Sequence, residues 1–194
     1  MVEVDQLHFH FKWRNVMKKI ICCICIIFIC MLTSCSFGGL IMNNRIVRIS
    51  DNTIEKITNA IENKDENALK KLFAKNVIDE IEDFSETATK LFSYYKGETI
   101  SYKSWGTHTE KSKEYDIEEE IFYISYDVTT TEGVFRIAAS IVIKDTTDKD
   151  NEGIEALYII NMSNHLYPDC AYRGDEKYIP GIYIDLQGTP PPLD

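Results

Sequence analysis

The hydropathy pattern of this 194-residue chain predicts an α+β domain in which N-terminal helices pack on a four-stranded antiparallel sheet. Three observations carry that prediction. Between Asp51 and Tyr95 the apolar residues recur at intervals of three and four, the period of a helix with one buried face. From Glu98 onwards the period falls to two, the signal of half-buried strands. Two of those strands can also be set in register by hand, with an apolar face on each coinciding across a short turn.

Taken in order, the first helix is capped by Asp51 or Asn52 and buries Ile54, Ile57, Ala60 and Ile61. Asn63-Lys64-Asp65 interrupts it. A second short helix turns Ala68, Leu69, Leu72 and Phe73 inwards and ends near Asn76. A third pattern runs through Ile78, Ile81, Phe84, Ala88, Leu91, Phe92 and Tyr95, with Ser85 as an internal cap and Gly97 closing it. Thr99 to Trp105 is the first strand, residues 117–130 the second, 134–144 the third and 154–162 the fourth. Phe122, Ile124, Tyr126 and Val128 meet Phe135, Ile137, Ala139 and Ile141 on one face if Thr130 to Gly133 forms a four-residue loop, with Gly133 supplying a positive φ. That register sets Asp127 opposite Arg136 on the other face. Such a pair either lines a pocket or forms a cross-strand ion pair on a solvated face, the commoner arrangement. Past Ser163 the chain is irregular, and its closing Ile182-Tyr183-Ile184 is expected to pack back as an edge strand.

The N-terminal segment has a different logic. Met17-Lys18-Lys19 precedes a 13-residue apolar run, Ile20 to Leu32, and then Thr33-Ser34-Cys35. A positive start, an apolar core and small residues before a cysteine form the layout of an export signal ending in a lipobox, as in a bacterial lipoprotein. Spanning a bilayer takes roughly 20 apolar residues, so a run this short is expected to be a cleaved signal rather than an anchor. The predicted organisation is a signal peptide over residues 1–34, a lipid-anchored tether over 35–50, a folded domain over 51–186 and a disordered, proline-rich tail over 187–194. Residues 1–16 fit no export signal, which points to Met17 as an alternative initiator. On this reading Cys35 carries a diacylglyceryl group, whose two chains give stable anchoring on the outer face of the cell membrane.

Cleavage before Cys35 leaves 160 residues, one ordinary domain, with 17 basic against 29 acidic residues and a net charge of -12. So acidic a surface repels phosphate backbones and anionic headgroups, which argues against nucleic acid as a partner. Five of the six cysteines (Cys22, Cys23, Cys25, Cys30 and Cys35) fall in or beside the apolar run, and Cys170 alone remains in the domain. No disulfide within the exported domain is expected, and no metal or other cofactor. The acidic loop Lys144 to Gly153 has the opening residues of a calcium-binding loop, but the bidentate glutamate required at its twelfth position falls on Ile159.

Helices followed by a strongly curved four-stranded antiparallel sheet resemble the NTF2-like, cone-shaped fold. Finer detail resembles a family of small lipoproteins. The lipobox, Ile61-Glu62-Asn63-Lys64-Asp65-Glu66-Asn67-Ala68-Leu69, Tyr102-Lys103-Ser104-Trp105-Gly106, Tyr126-Asp127-Val128-Thr129-Thr130, Asn151-Glu152-Gly153-Ile154, Leu157-Tyr158-Ile159-Ile160 and Pro180-Gly181-Ile182 are similar to the domain-of-unknown-function family DUF5104. That resemblance implies no activity and no site residues. The cone implies a pocket between helices and sheet, with Tyr94, Tyr102, Trp105, Tyr123 and Tyr126 at its mouth; the alternative is that these rings are core.

Three functions remain open at this level. A non-catalytic domain would bind a small ligand or an envelope protein. An enzyme would place acid/base groups in the cone, but the exported half offers only His108, in a polar loop, and His165, beyond the last strand. No nucleophile elbow, phosphate-cradling loop or metal-ligand cluster occurs in the sequence. An assembly component would dimerise through a sheet face carrying Ile121, Tyr123, Val134 and Val142.

Overall fold

A computed structural model describes residues 45–164 and 179–185. The signal segment, Cys35, His165, Cys170 and the 187–194 tail lie outside the described residues. Helix α1 covers residues 45–62 and is followed by α2 (Glu66–Lys70), α3 (Lys75–Glu80) and α4 (Phe84–Tyr94). Strands β1 (Thr99–Glu114), β2 (Ile117–Thr130), β3 (Gly133–Asp145), β4 (Gly153–Asn161) and β5 (Gly181–Ile184) complete the order. Among the described residues no helix is long and apolar enough to cross a membrane.

The strands form one five-stranded sheet in the order β1-β2-β3-β4-β5. The first four pair antiparallel, and β5 runs parallel to β4 with Ala156 opposite Gly181 and Ile159 opposite Ile184. This corrects the predicted four-stranded antiparallel sheet and its NTF2-like cone. The sheet has a fifth strand and is mixed, and α2 and α3 are only five and six residues long. A parallel neighbour cannot follow through a tight hairpin, and 19 residues of sequence separate the end of β4 from the start of β5.

Local chemistry explains the remaining differences. Helix α1 is already helical six residues before the expected Asp51 cap. The third helical pattern divides in two because the Asp83 carboxylate accepts from the Glu86 N–H at 2.9 Å and starts α4 afresh; Asp83, not Ser85, is the cap. Asp65 does the same for α2, accepting from Ala68 at 2.9 Å. Strand β1 continues nine residues past Trp105, taking in the stretch expected to be a polar loop around His108. It is an edge strand, so its polar side chains stay in water while its backbone pairs with β2, and register shifts at Ile100 and Trp105 bend it.

The hairpin register holds as expected, with Thr130 opposite Gly133, Asp127 opposite Arg136, and Gly133 at φ +155°. Phe122, Ile124, Tyr126 and Val128 of β2 meet Phe135, Ile137, Ala139 and Ile141 of β3, and these join α1, α2 and α4 in one core. On the opposite face Ala138, Ala156 and Tyr158 form a smaller cluster against Tyr183.

Two contacts lock the β4 edge. Ile154 donates to the Leu72 carbonyl at 2.8 Å and accepts from the Ala74 N–H at 3.0 Å, so residues 72–74 pair with β4 just before β5 takes over the same edge. Gly153 makes this approach possible. Its φ is +136°, and a Cβ there would lie 2.5 Å from the Ala74 nitrogen.

Candidate functional site

A cleft of about 230 Å³ opens between α3 and the sheet. Helix α3 contributes Asn76, Val77 and Glu80 with Ala74 just before it, β2 gives Glu119 and Ile121, and β3 gives Val142. Asn151, Glu155 and Pro180 close it. Two irregularities in the sheet build this arrangement. One register shift lies in the β2–β3 pairing between Glu120 and Ile121, and the other in the β3–β4 pairing between Ser140 and Ile141. The second leaves Glu155 as an extra residue in β4. Strict alternation would set Glu155 opposite Ile141, on the core face, where a carboxylate is costly. The bulge turns it instead towards the buried Ser140, whose hydroxyl donates to Glu155 Oε2 at 3.1 Å.

The wall formed by α3 is fixed by the loop between β3 and β4. Asp145 accepts from the Thr147 N–H at 2.7 Å, the Thr147 hydroxyl at 2.6 Å, the Asp148 N–H at 3.2 Å and the Asn151 amide at 2.8 Å. These donors hold its carboxyl far below the usual carboxylate range, the Thr147 hydroxyl contributing most. Asn151 so placed accepts from the Asn76 amide at 2.6 Å and ties α3 to the loop. Asp148 caps the short 3-10 turn Lys149–Asn151. The loop carboxylates that prompted a comparison with calcium sites thus satisfy N–H groups and lysines. Among the described residues no group of three or more His, Cys, Asp or Glu side chains is arranged to hold a metal ion.

The cleft combines an apolar floor (Ala74, Val77, Ile121 and Val142) with three carboxylates, Glu80, Glu119 and Glu155, and among the described residues neither lysine nor arginine lines it. The field of these groups reaches Tyr123 next door. Its phenol is pushed up to about 12, by burial first, then by its hydrogen bond to Glu110 at 3.1 Å, then by the charges of Glu110, Glu155 and Glu119. A site of this make-up favours a cationic group on a compact carbon skeleton.

The five aromatic residues singled out from the sequence are scattered, and none lines this cleft. Tyr94 donates to Asp185 Oδ1 at 2.7 Å and accepts from the Asn161 N–H at 2.7 Å, joining α4 to the ends of β4 and β5. Tyr102 is 40% exposed, with its hydroxyl 2.9 Å from Thr58 Oγ1 on α1. Trp105 is 40% exposed and lies against the Arg136 guanidinium, 4.6 Å from ring centre to carbon. Tyr126 is core, its hydroxyl donating to Asp51 Oδ1 at 2.7 Å. Tyr123 stacks on His108 at 6.0 Å, and that histidine is exposed on the edge strand. Of the face proposed for assembly, Ile121 and Val142 line the cleft, Val142 is buried and Val134 is exposed.

Sequence reasoning passed over Glu80, Glu119 and Glu155. Glu155 carried a usable signal, being a lone acid inside the otherwise apolar run Ile154 to Ile160, where a bulge is the economical way to keep a carboxylate out of the core.

A comparison with curated proteins finds none that matches. A family model described as a domain of unknown function, DUF5104, matches residues 56–162, from the middle of α1 to the end of β4. That span covers four of the five strands and most of the cleft, and the chain belongs to the DUF5104 family.

Proposed function

We propose that the chain is a lipid-anchored extracytoplasmic protein whose folded domain is a non-catalytic binding module, taking a small cationic ligand in the cleft between α3 and the sheet. The observation that carries this reading is the cleft itself, with its apolar floor, three carboxylates and a bulge that aims Glu155 into it. The anchoring half rests on Lys18-Lys19, the short apolar run and Cys35, which together supply a signal and an acylation site. Tethered through diacylglycerol on Cys35, the acidic domain stands in solvent and captures its ligand by electrostatic attraction.

The test is native mass spectrometry of the full-length protein extracted in a non-ionic detergent. A cationic small molecule retained at stoichiometric amount and lost in Glu155→Gln supports the reading. An empty protein that is a stable dimer by light scattering sinks it in favour of an assembly role.

A further inference from the structure

We infer that a second site, for a small organic anion bearing two or more carboxylate or phosphate groups, lies in the groove between α1 and α2. The groove encloses about 580 Å³ and is lined by Lys56, Asn59, Ala60 and Asn63 on one side and Asp65, Ala68, Lys71 and Leu72 on the other. That volume falls within the range of small-molecule sites, about 300–1,000 Å³. It shares no residue with the acidic cleft.

Positions 56, 59 and 60 form one stripe of α1, and Asn63 extends it from the turn just past the helix end. Ala60, Ala68 and Leu72 give an apolar floor for a carbon skeleton. Lys56 and Lys71 supply the charge. The chain has 31 acidic against 21 basic residues, and half of the described lysines are already paired: Lys75 with Asp150, Lys90 with Glu86, Lys111 with Glu120, Lys113 and Lys144 with Glu118, and Lys149 with Glu152. Among the described residues Lys56 and Lys71 make no ion pair, although both face one groove. Asp65, the one carboxylate in the lining, turns Oδ1 to the Ala68 N–H as a helix cap. Asn63 donates to the Asn59 carbonyl at 2.8 Å, which fixes the wall between the lysines. Two ammonium groups over an apolar floor match a compact polyanion, each lysine meeting one acidic group as a point charge.

Isothermal titration of the full-length protein in non-ionic detergent, at low salt, tests this with citrate and pyrophosphate as probes and glycerol as the neutral control. Saturable binding of either probe is expected, weakening as salt rises. Lys56→Gln/Lys71→Gln should lower that affinity at least tenfold, while Lys56→Arg/Lys71→Arg and Glu155→Gln retain it. Citrate alone would mark a carboxylate site and pyrophosphate alone a phosphate site. Failure of both probes, or binding that survives the double glutamine variant, overturns the proposal and leaves the acidic cleft unaffected.

Discussion

Arg136 shows how one side chain can take a strand's polar face indoors. It is 2% exposed, with Nε 2.7 Å and Nη2 3.1 Å from the two Asp127 oxygens, and Trp105 stacked on its plane. The cross-strand pair was legible in the hairpin register, whereas its burial was not. The register shift at Trp105 lies on another strand, and no local pattern announces that an indole will cover the guanidinium. Removing the acid takes a carboxylate partner from a buried charge. Asp127→Ala should therefore cost on the order of 2 kcal/mol, below the ~3–5 kcal/mol of a fully enclosed pair, because the Asp127 side chain is 22% exposed. Urea unfolding followed by circular dichroism would measure it, and a cost near zero would contradict the desolvated ion pair. Gly153 is a second residue with no substitute. Alanine there would force a left-handed backbone and a 2.5 Å contact with the Ala74 nitrogen, so Gly153→Ala should destabilise by at least ~2 kcal/mol in the same assay.

Two elements are held by polar clamps at their ends. Glu118, at the start of β2, takes Lys113 from β1 and Lys144 from β3, which draws its carboxyl down to about 2 from 4.5. A carboxylate whose folded value is depressed stabilises the native state above its unfolded value and loses that contribution as pH falls through the folded one. Thermal midpoints should accordingly drop between about pH 4.5 and pH 2, and Glu118→Gln should flatten part of that slope while lowering the midpoint at pH 7. Tyr94 clamps the other end. Its hydroxyl joins Asp185 to the Asn161 N–H, and its own ionisation is pushed well above the ordinary range by burial and by Asp185. Tyr94→Phe should release β5 before the rest of the sheet, seen as faster amide exchange at residues 182–185 with β2 and β3 still protected. Strand β5 was expected at an edge from Ile182-Tyr183-Ile184, but its direction was not readable. Strand β5 runs parallel to β4, a direction that no alternation of side chains encodes.

For the molecule as a whole, the sequence made the helix-then-strand order and the β2–β3 register legible, because both rest on short-range periodicity. The cleft was not, since Glu80, Glu119 and Glu155 are brought together from three elements by two bulges. The proposed lipid anchor has its own test. Wild-type protein should incorporate labelled fatty acid and sediment with membranes, and Cys35→Ala should do neither; a variant that still labels would refute acylation at that residue. The pairing of residues 72–74 with Ile154 also dictates an order of assembly. The four helices are synthesised first, yet their buried faces belong against β2, β3 and β4, and the segment after α2 waits some 80 residues for its partner. Until β4 has emerged, the N-terminal half has nowhere to hide its isoleucines. A chain built this way closes in one late step, once its C-terminal third has been made.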